Sequence, residues 1–159
     1  MSEHETRPPS LLSLPSYLAG HVARIGHREL DGALAERGLR LPHFAVLTAL
    51  SDFGPLTQHV LADRLRFNRS HLVGYLDKLE QRELVRRERD PEDRRRHRVT
   101  LTTAGAELAG EMTAVARSAQ RELLSPLTDE ERDTLVELLG RVLATDDSGR
   151  NSAADRAAD

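Results

Sequence analysis

The sequence predicts a mainly α-helical chain with one small β-hairpin. Three observations carry this reading. Apolar residues recur at spacings of three and four through most of the chain; one stretch, Leu84 to Thr102, alternates at period two around a charged turn; and Gly, Pro and Asn punctuate the joins. At 159 residues, with 38% hydrophobic and 31% charged content, the chain suits one domain with a real core.

Residues 1–12 and 146–159 read as polar tails around a single domain of residues 13–145. Tyr17 to Glu36 carries Leu18, Val22, Ile25, Leu30, Ala33 and Leu34, which predicts one amphipathic helix ended by Gly38. Pro42 opens the next, with Phe44, Leu47 and Leu50 on one side and a stop before Gly54-Pro55. Thr57 caps a short helix through Leu65, and Asn68 caps another that holds Leu72, Leu76 and Leu79. Leu84–Arg89 and Arg98–Thr102 pair as a two-stranded ribbon with Val99 and Leu101 inward. Thr102 or Thr103 caps a helix through Leu124, and Thr128 with Glu131 forms a capping box ahead of Leu135, Leu138, Leu139, Val142 and Leu143.

Charge narrows the function. From Thr57 to Arg98 there are 12 Lys+Arg against 8 Asp+Glu, a balance of +4, which leaves 11 against 18, or −7, in the rest of the chain. Lys78 is the only lysine, so the basic island is almost all arginine, whose planar fork suits phosphates and base edges. The island coincides with the short helix pair and the ribbon. Ala62 sits where two such helices need close approach, and Leu72 where the second anchors on the first, which turns Arg69, Ser70, His71, Val73 and Gly74 outward. A helix-turn-helix followed by a hairpin, together about residues 41–102, is a winged helix-turn-helix. Its wing tip would bring Arg94, Arg95 and Arg96 to a minor groove of double-stranded DNA, with Asp93 orienting one guanidinium.

The run LADRL…NRSHLVGYLDKLE…LVRRERDPEDRRRHRVTLTTAG, from Leu61 through Gly105, resembles the multiple-antibiotic-resistance regulator (MarR) family of bacterial transcription factors. The motif DPEDRR followed by VTLTTAG carries most of the likeness, which extends more loosely over about residues 14–145. The resemblance implies a homodimer with interlocking terminal helices, here residues 14–37 and 103–145. It implies a regulator, most often a repressor, of a pseudo-palindromic operator, with small ligands releasing DNA in many members. By position, the base-reading turn falls on Arg69, Ser70 and His71, with Asn68 capping it; the wing arginine falls on Arg95, supported by Arg94, and the wing acid on Asp93. The family's crevice among its first, second and long fifth helices makes Tyr17, His21, Phe44 and Met112 candidates for a small-molecule pocket. Two positions depart from the pattern. Gly74 stands where many members carry a longer polar side chain, and Glu83 where a glycine usually ends the recognition helix, which calls for a strained backbone or a longer helix.

Other classes are set against these. There is no HExxH, Gly-rich phosphate loop or GxSxG, so no enzyme and no cofactor are expected. The absence of cysteine excludes disulfide scaffolds, thiolate metal sites and cysteine nucleophiles. His4, His21, His27, His43, His59, His71 and His97 show no compact ligand spacing, so no metal site is assigned, although a metal-responsive regulator stays open as an alternative. So does a winged helix that binds only protein. No apolar run approaches the roughly 18 residues of a membrane span. The start MSEHETRPPS lacks the basic-then-apolar order of a signal peptide, and a cytoplasmic location with no membrane partner is expected.

Overall fold

The computed structural model describes residues 7–156. In chain order it contains α1 (Pro9–Leu12), α2 (Pro15–Gly26), α3 (Arg28–Glu36), α4 (Leu41–Phe53), β1 (Leu56–Thr57), α5 (Gln58–Leu65), α6 (Arg69–Gln81), β2 (Val85–Arg89), β3 (His97–Leu101), α7 (Thr103–Leu123) and α8 (Asp129–Arg156). It is mainly helical with one small antiparallel sheet, as the sequence predicts. The chain divides into two compact units, one running to Gln120 and one from Arg121 onward, where the sequence reading has a single domain over residues 13–145.

In the first unit, the helix expected from Tyr17 to Glu36 is two helices that meet at His27. The step of five from Ile25 to Leu30 breaks the three-and-four rhythm, and the two halves face different surroundings. Leu18, Val22 and Ile25 are 39%, 41% and 40% exposed, while Leu30 and Leu34 are 3% and 0%. Gly38 closes α3 at φ +64, a left-handed position glycine occupies without a Cβ clash, and the Leu39 amide donates back to the Leu34 carbonyl at 2.9 Å. Pro42 lies in the first turn of α4, whose buried side holds Val46, Leu47, Ala49 and Leu50. These pack with Leu61 and Ala62 of α5, Leu72, Leu76 and Leu79 of α6, Val85 and Val99 of the sheet, and Met112 of α7.

The sheet has three strands in the order β1-β3-β2, not two. The added strand is the residue pair Leu56–Thr57, which pairs with Val99 and Arg98 and is too short to show any period. Val85 pairs with Leu101, Arg87 with Val99 and Arg89 with His97. Val99 is fully buried, and Leu101 is half-buried.

Glu83 adopts φ +56, so α6 ends in a left-handed residue that is not glycine, the first of the two outcomes its departure from the family pattern allows. The next turn explains what holds it there. The Thr102 hydroxyl donates to the Glu83 carbonyl at 2.7 Å and accepts from the Gly105 amide at 3.0 Å, which makes Thr102 the cap of α7. A Cβ on Gly105 would lie 1.9 Å from the Leu84 carbonyl oxygen, so only glycine permits this approach.

Helical structure also enters both segments read as polar tails. Pro9 starts the single turn of α1, and α8 runs on to Arg156 because nothing after Asp146 includes a proline to stop a helix already formed. Arg7 and Pro8 precede α1, and residues 1–6 and 157–159 lie outside the described ones. In the second unit, the capping box forms as expected: the Thr128 amide donates to Glu131 Oε2 at 2.8 Å and the Glu131 amide to Thr128 Oγ1 at 3.2 Å. No residue from Arg121 to Asp147 is buried, and Val136, Leu138, Leu139, Val142 and Leu143 are exposed. Among the described residues no helix is long and apolar enough to cross a membrane.

Candidate nucleic-acid interface

The helix pair is built by local signals. Thr57 Oγ1 accepts from the Val60 amide at 3.3 Å to start α5, which ends at Arg66 in the left-handed region, φ 55 and ψ 35. That turn sends the Phe67 amide back to the Ala62 carbonyl at 3.0 Å and brings the chain round to Asn68. Asn68 Oδ1 then accepts from both the amide and the hydroxyl of Ser70, at 2.9 and 2.7 Å. Asn68 and Ser70 thus spend part of their polar capacity on each other, capping α6.

Leucines 72, 76 and 79 are buried and fix the rotation of α6 about its axis. Arg69, Ser70, His71, Val73 and Gly74 are consequently exposed together on its first turns. A Cβ on Gly74 would meet nothing within 4 Å, so that position is an open recess in the exposed surface.

The loop between β2 and β3 is ordered by its acids. Asp90, 9% exposed, accepts from the Glu92 amide at 2.9 Å through Oδ1 and faces Arg98 Nε at 3.6 Å through Oδ2. Its own amide donates to the Arg96 carbonyl at 2.9 Å and closes the loop. Asp93 Oδ1 accepts from the Arg95 amide at 3.0 Å, and Oδ2 pairs with Arg96 Nε at 3.4 Å. Asp93 therefore holds Arg96. The Arg94 and Arg95 side chains make no hydrogen bond or ion pair among the described residues and project, exposed, from the tip.

Two clefts flank these elements. One, of about 410 Å³, lies between the start of α5 and the loop and is lined by Thr57, Gln58, His59, Arg95, Arg96 and His97. The other, of about 570 Å³, lies between the start of α4 and α6 and is lined by Gly38, Arg40, His43, Ser70, His71, Gly74, Tyr75 and Lys78. His43 is 5% exposed, and its Nδ1 accepts from the Arg40 amide at 3.0 Å, which assigns its proton to Nε2. Burial, with Arg40 and Lys78 nearby, lowers its pKa below the ordinary 6.5. Tyr75 stands edge-on to both His43 and Phe67, with ring centroids 5.3 and 5.6 Å apart.

Sequence reasoning did not reach Arg40, His43, Tyr75 or Lys78 as cleft residues. The spacing of His71, Tyr75 and Lys78 at i, i+4 and i+7 was the available signal for α6, but nothing in the sequence places the start of α4 opposite them. The candidate ligand pocket is not assembled in the same way. The Tyr17 and His21 rings are tilted at 55° to each other with centroids 4.3 Å apart, and Arg24 donates to His21 Nδ1 at 2.6 Å. Burial, then the charges of Arg24 and Arg7, push the His21 pKa down. Phe44 is half-buried against the core and Met112 is fully buried within it, and neither cleft includes any of the four. Among the described residues no three His, Cys, Asp or Glu side chains could hold a metal ion, and His4 lies outside them.

Comparison with known proteins agrees with this arrangement. The signature of the MarR family matches residues 39–97, from the end of α3 through the loop. The transcriptional repressor NicR of Pseudomonas putida is 33% identical over 133 residues, covering 81% of this chain and 84% of that protein. The crystal structure of a mutant Escherichia coli MarR complexed with operator DNA superposes with a TM-score of 0.73 at 27% identity, covering 86% of this chain and 99% of that one. A structure of Bordetella bronchiseptica BpsR, describing regulation of its DNA binding by 6-hydroxynicotinic acid, gives 0.74 at 25% identity and covers 86% and 97%. The family consists of DNA-binding regulators, not enzymes. With its winged helix, its match to the family signature and its similarity to NicR along most of both chains, this protein belongs to the MarR family of transcriptional regulators.

Proposed function

We propose that this regulator represses transcription by binding a pseudo-palindromic double-stranded operator as a homodimer in the cytoplasm. The observation that carries the proposal is the joint exposure of the first turns of α6 and of the Arg94 and Arg95 guanidinium groups, which have no partner of their own among the described residues. In this reading Arg69, His71 and Val73 face base edges in a major groove, and Gly74 leaves room for the strand. Asn68 and Ser70 set the helix end against phosphate. Arg95 enters the neighbouring minor groove, Arg94 meets phosphate, and Arg96 is steadied by Asp93.

A dimer is supported by the apolar residues left exposed in each unit, Leu18, Val22 and Ile25 on α2 and Leu138, Leu139, Val142 and Leu143 on α8. Two recognition helices roughly 34 Å apart would read two half-sites one turn apart. Release by a small ligand is supported by BpsR, whose DNA binding responds to 6-hydroxynicotinic acid. The Tyr17–His21 pair, with Phe44 and Met112, remains the proposed place for an effector.

The test is selection of genomic fragments by the purified protein, with footprinting of those enriched. A protected pseudo-palindrome at a promoter is the expected result. A winged helix that binds only protein would enrich nothing, even at low salt, and would not show the steep loss of affinity with salt that counterion release imposes.

A further inference from the structure

The larger cleft has a chemistry that the contacts proposed above do not use. One wall is the start of α4 with Arg40 and His43; the other is the flank of α6 with His71, Tyr75 and Lys78. No carboxylate lines it. Neither Arg40 nor Lys78 makes an ion pair among the described residues, although Lys78 follows directly on Asp77. The acids of this part of α6 are engaged elsewhere: Asp77 and Glu80 both face Arg87 on β2. A third cation stands at the rim, since the Arg82 guanidinium occupies the space that a Cβ on Gly38 would fill, 2.5 Å from that position. The cleft thus gathers positive charge without a built-in counterion, and both Arg40 and Lys78 lie close enough to His43 to act on its charge.

We infer that this cleft seats a backbone phosphate of the bound DNA, with Arg40 and Lys78 as its cationic partners. The inference rests on the DNA-binding reading above. Three features favour a strand phosphate as occupant. His71 belongs to both the groove-facing turn and the cleft wall, so whatever fills the cleft lies beside the strand that borders the groove. Lys78 lies two helical turns after His71 on the same face of α6, which extends that face along the strand. Gly74 lends the wall no side chain, and its surface is open, so the sugar-phosphate chain can come close to the helix. An arginine and a lysine on opposite walls suit an oxyanion approached from two sides.

The test measures binding of fluorescent operator and random duplexes across a salt series, for wild type, Arg40→Gln, Lys78→Gln and the double variant, with Arg95→Ala as control. Each single variant is expected to lower the slope of log K against log salt by about 0.9 and to weaken both duplexes by the same factor. Thermal melts establish that the variants fold. If wild type is steeply salt-dependent and Arg95→Ala weakens binding, but both single variants keep the wild-type slope, the cleft holds no DNA phosphate and the inference is wrong. A cleft that serves free anions is recognised separately: inorganic phosphate at constant ionic strength would raise the melting temperature of wild type and not of the double variant, while DNA slopes stayed equal, and this also overturns the inference. Wild type that binds neither duplex would instead remove the DNA-binding reading itself, and the inference with it.

Discussion

Arg87 on β2 donates through Nη2 to Asp77 Oδ1 on α6, 2.5 Å away, and its Nη1 lies 3.8 Å from Glu80 Oε2 one turn further on. The same Nη2 reaches the Val73 carbonyl at 3.4 Å, and the Arg87 amide donates to Glu80 Oε1 at 3.1 Å. This amide belongs to an outer strand, so Glu80 satisfies a donor that no neighbouring strand reaches. The Arg87 side chain is only 21% exposed, but Asp77 and Glu80 are 60% and 42% exposed, so water and salt still screen the pair in part. The clamp ties the helix proposed to read bases to the strand that carries the wing.

Replacement of Arg87 by alanine is therefore expected to cost about 1–3 kcal/mol, because two carboxylates lose their counterion and a half-buried packing contact goes with it. Urea denaturation measures this. A second readout separates positioning from stability: the ratio of operator to random-duplex affinity falls, since helix and wing no longer keep one relative placement. An unchanged ratio would show that Arg87 supports only the fold.

Arg95→Ala is expected to weaken operator binding by about 1–3 kcal/mol with little change in melting temperature, because the exposed side chain makes no hydrogen bond or ion pair among the described residues. Fluorescence anisotropy and a thermal melt decide it. Unaltered affinity would sink the wing assignment.

His71→Ala should weaken operator more than random duplex if the imidazole meets a base edge. Equal loss on both would move His71 to the phosphate backbone, beside the cleft whose wall it forms.

The left-handed Glu83 and the tightly approached Gly105 give opposite expectations. Glu83→Gly relieves a Cβ clash and should stabilise by about 1 kcal/mol, less whatever the more flexible unfolded chain recovers. Gly105→Ala should destabilise by about 3 kcal/mol, because the Leu84 carbonyl that stands in the way belongs to the backbone and cannot rotate aside. Chemical denaturation midpoints of the two variants should therefore move in opposite directions.

Histidine 43 links stability to pH. Its folded pKa lies below 6.5 because burial disfavours the cation, so the unfolded chain binds more protons wherever the two differ. The contribution is complete above about pH 6.5 and is lost as pH falls from there through the folded value. His43→Gln keeps a side-chain acceptor for the Arg40 amide and cannot titrate, so the gap between the two stability curves should be flat above about pH 6.5 and change below it. Parallel curves throughout would mean that other groups set the acid limit.

Much of the fold was legible because it is written in local chemistry. Thr57, Asn68 and Thr128 each cap the helix that their position predicts, and Leu72, Leu76 and Leu79 turn inward as their spacing requires. Features that depend on distant partners were not legible. Leu56–Thr57 becomes a strand only because β3 lies beside it, and α2 separates from α3 at Gly26–His27, where a change of apolar phase interrupts what the spacing predicts as one helix. At the candidate interface, the motif puts Asp93 among the wing arginines and geometry chooses Arg96 as its partner. The large cleft needs Arg40 and Lys78, 38 positions apart in sequence, to converge across two helices, and no spacing rule connects them.

The ring of Tyr75, held edge-on between His43 and Phe67, also makes the protein its own optical probe. The chain has no tryptophan and only two tyrosines, so Tyr17→Phe would leave Tyr75 as the sole strong ultraviolet emitter, within the cleft wall and on the helix that carries Arg69 and His71. Titration with unlabelled duplex could then be followed by intrinsic emission at that one ring, without a dye attached to either partner.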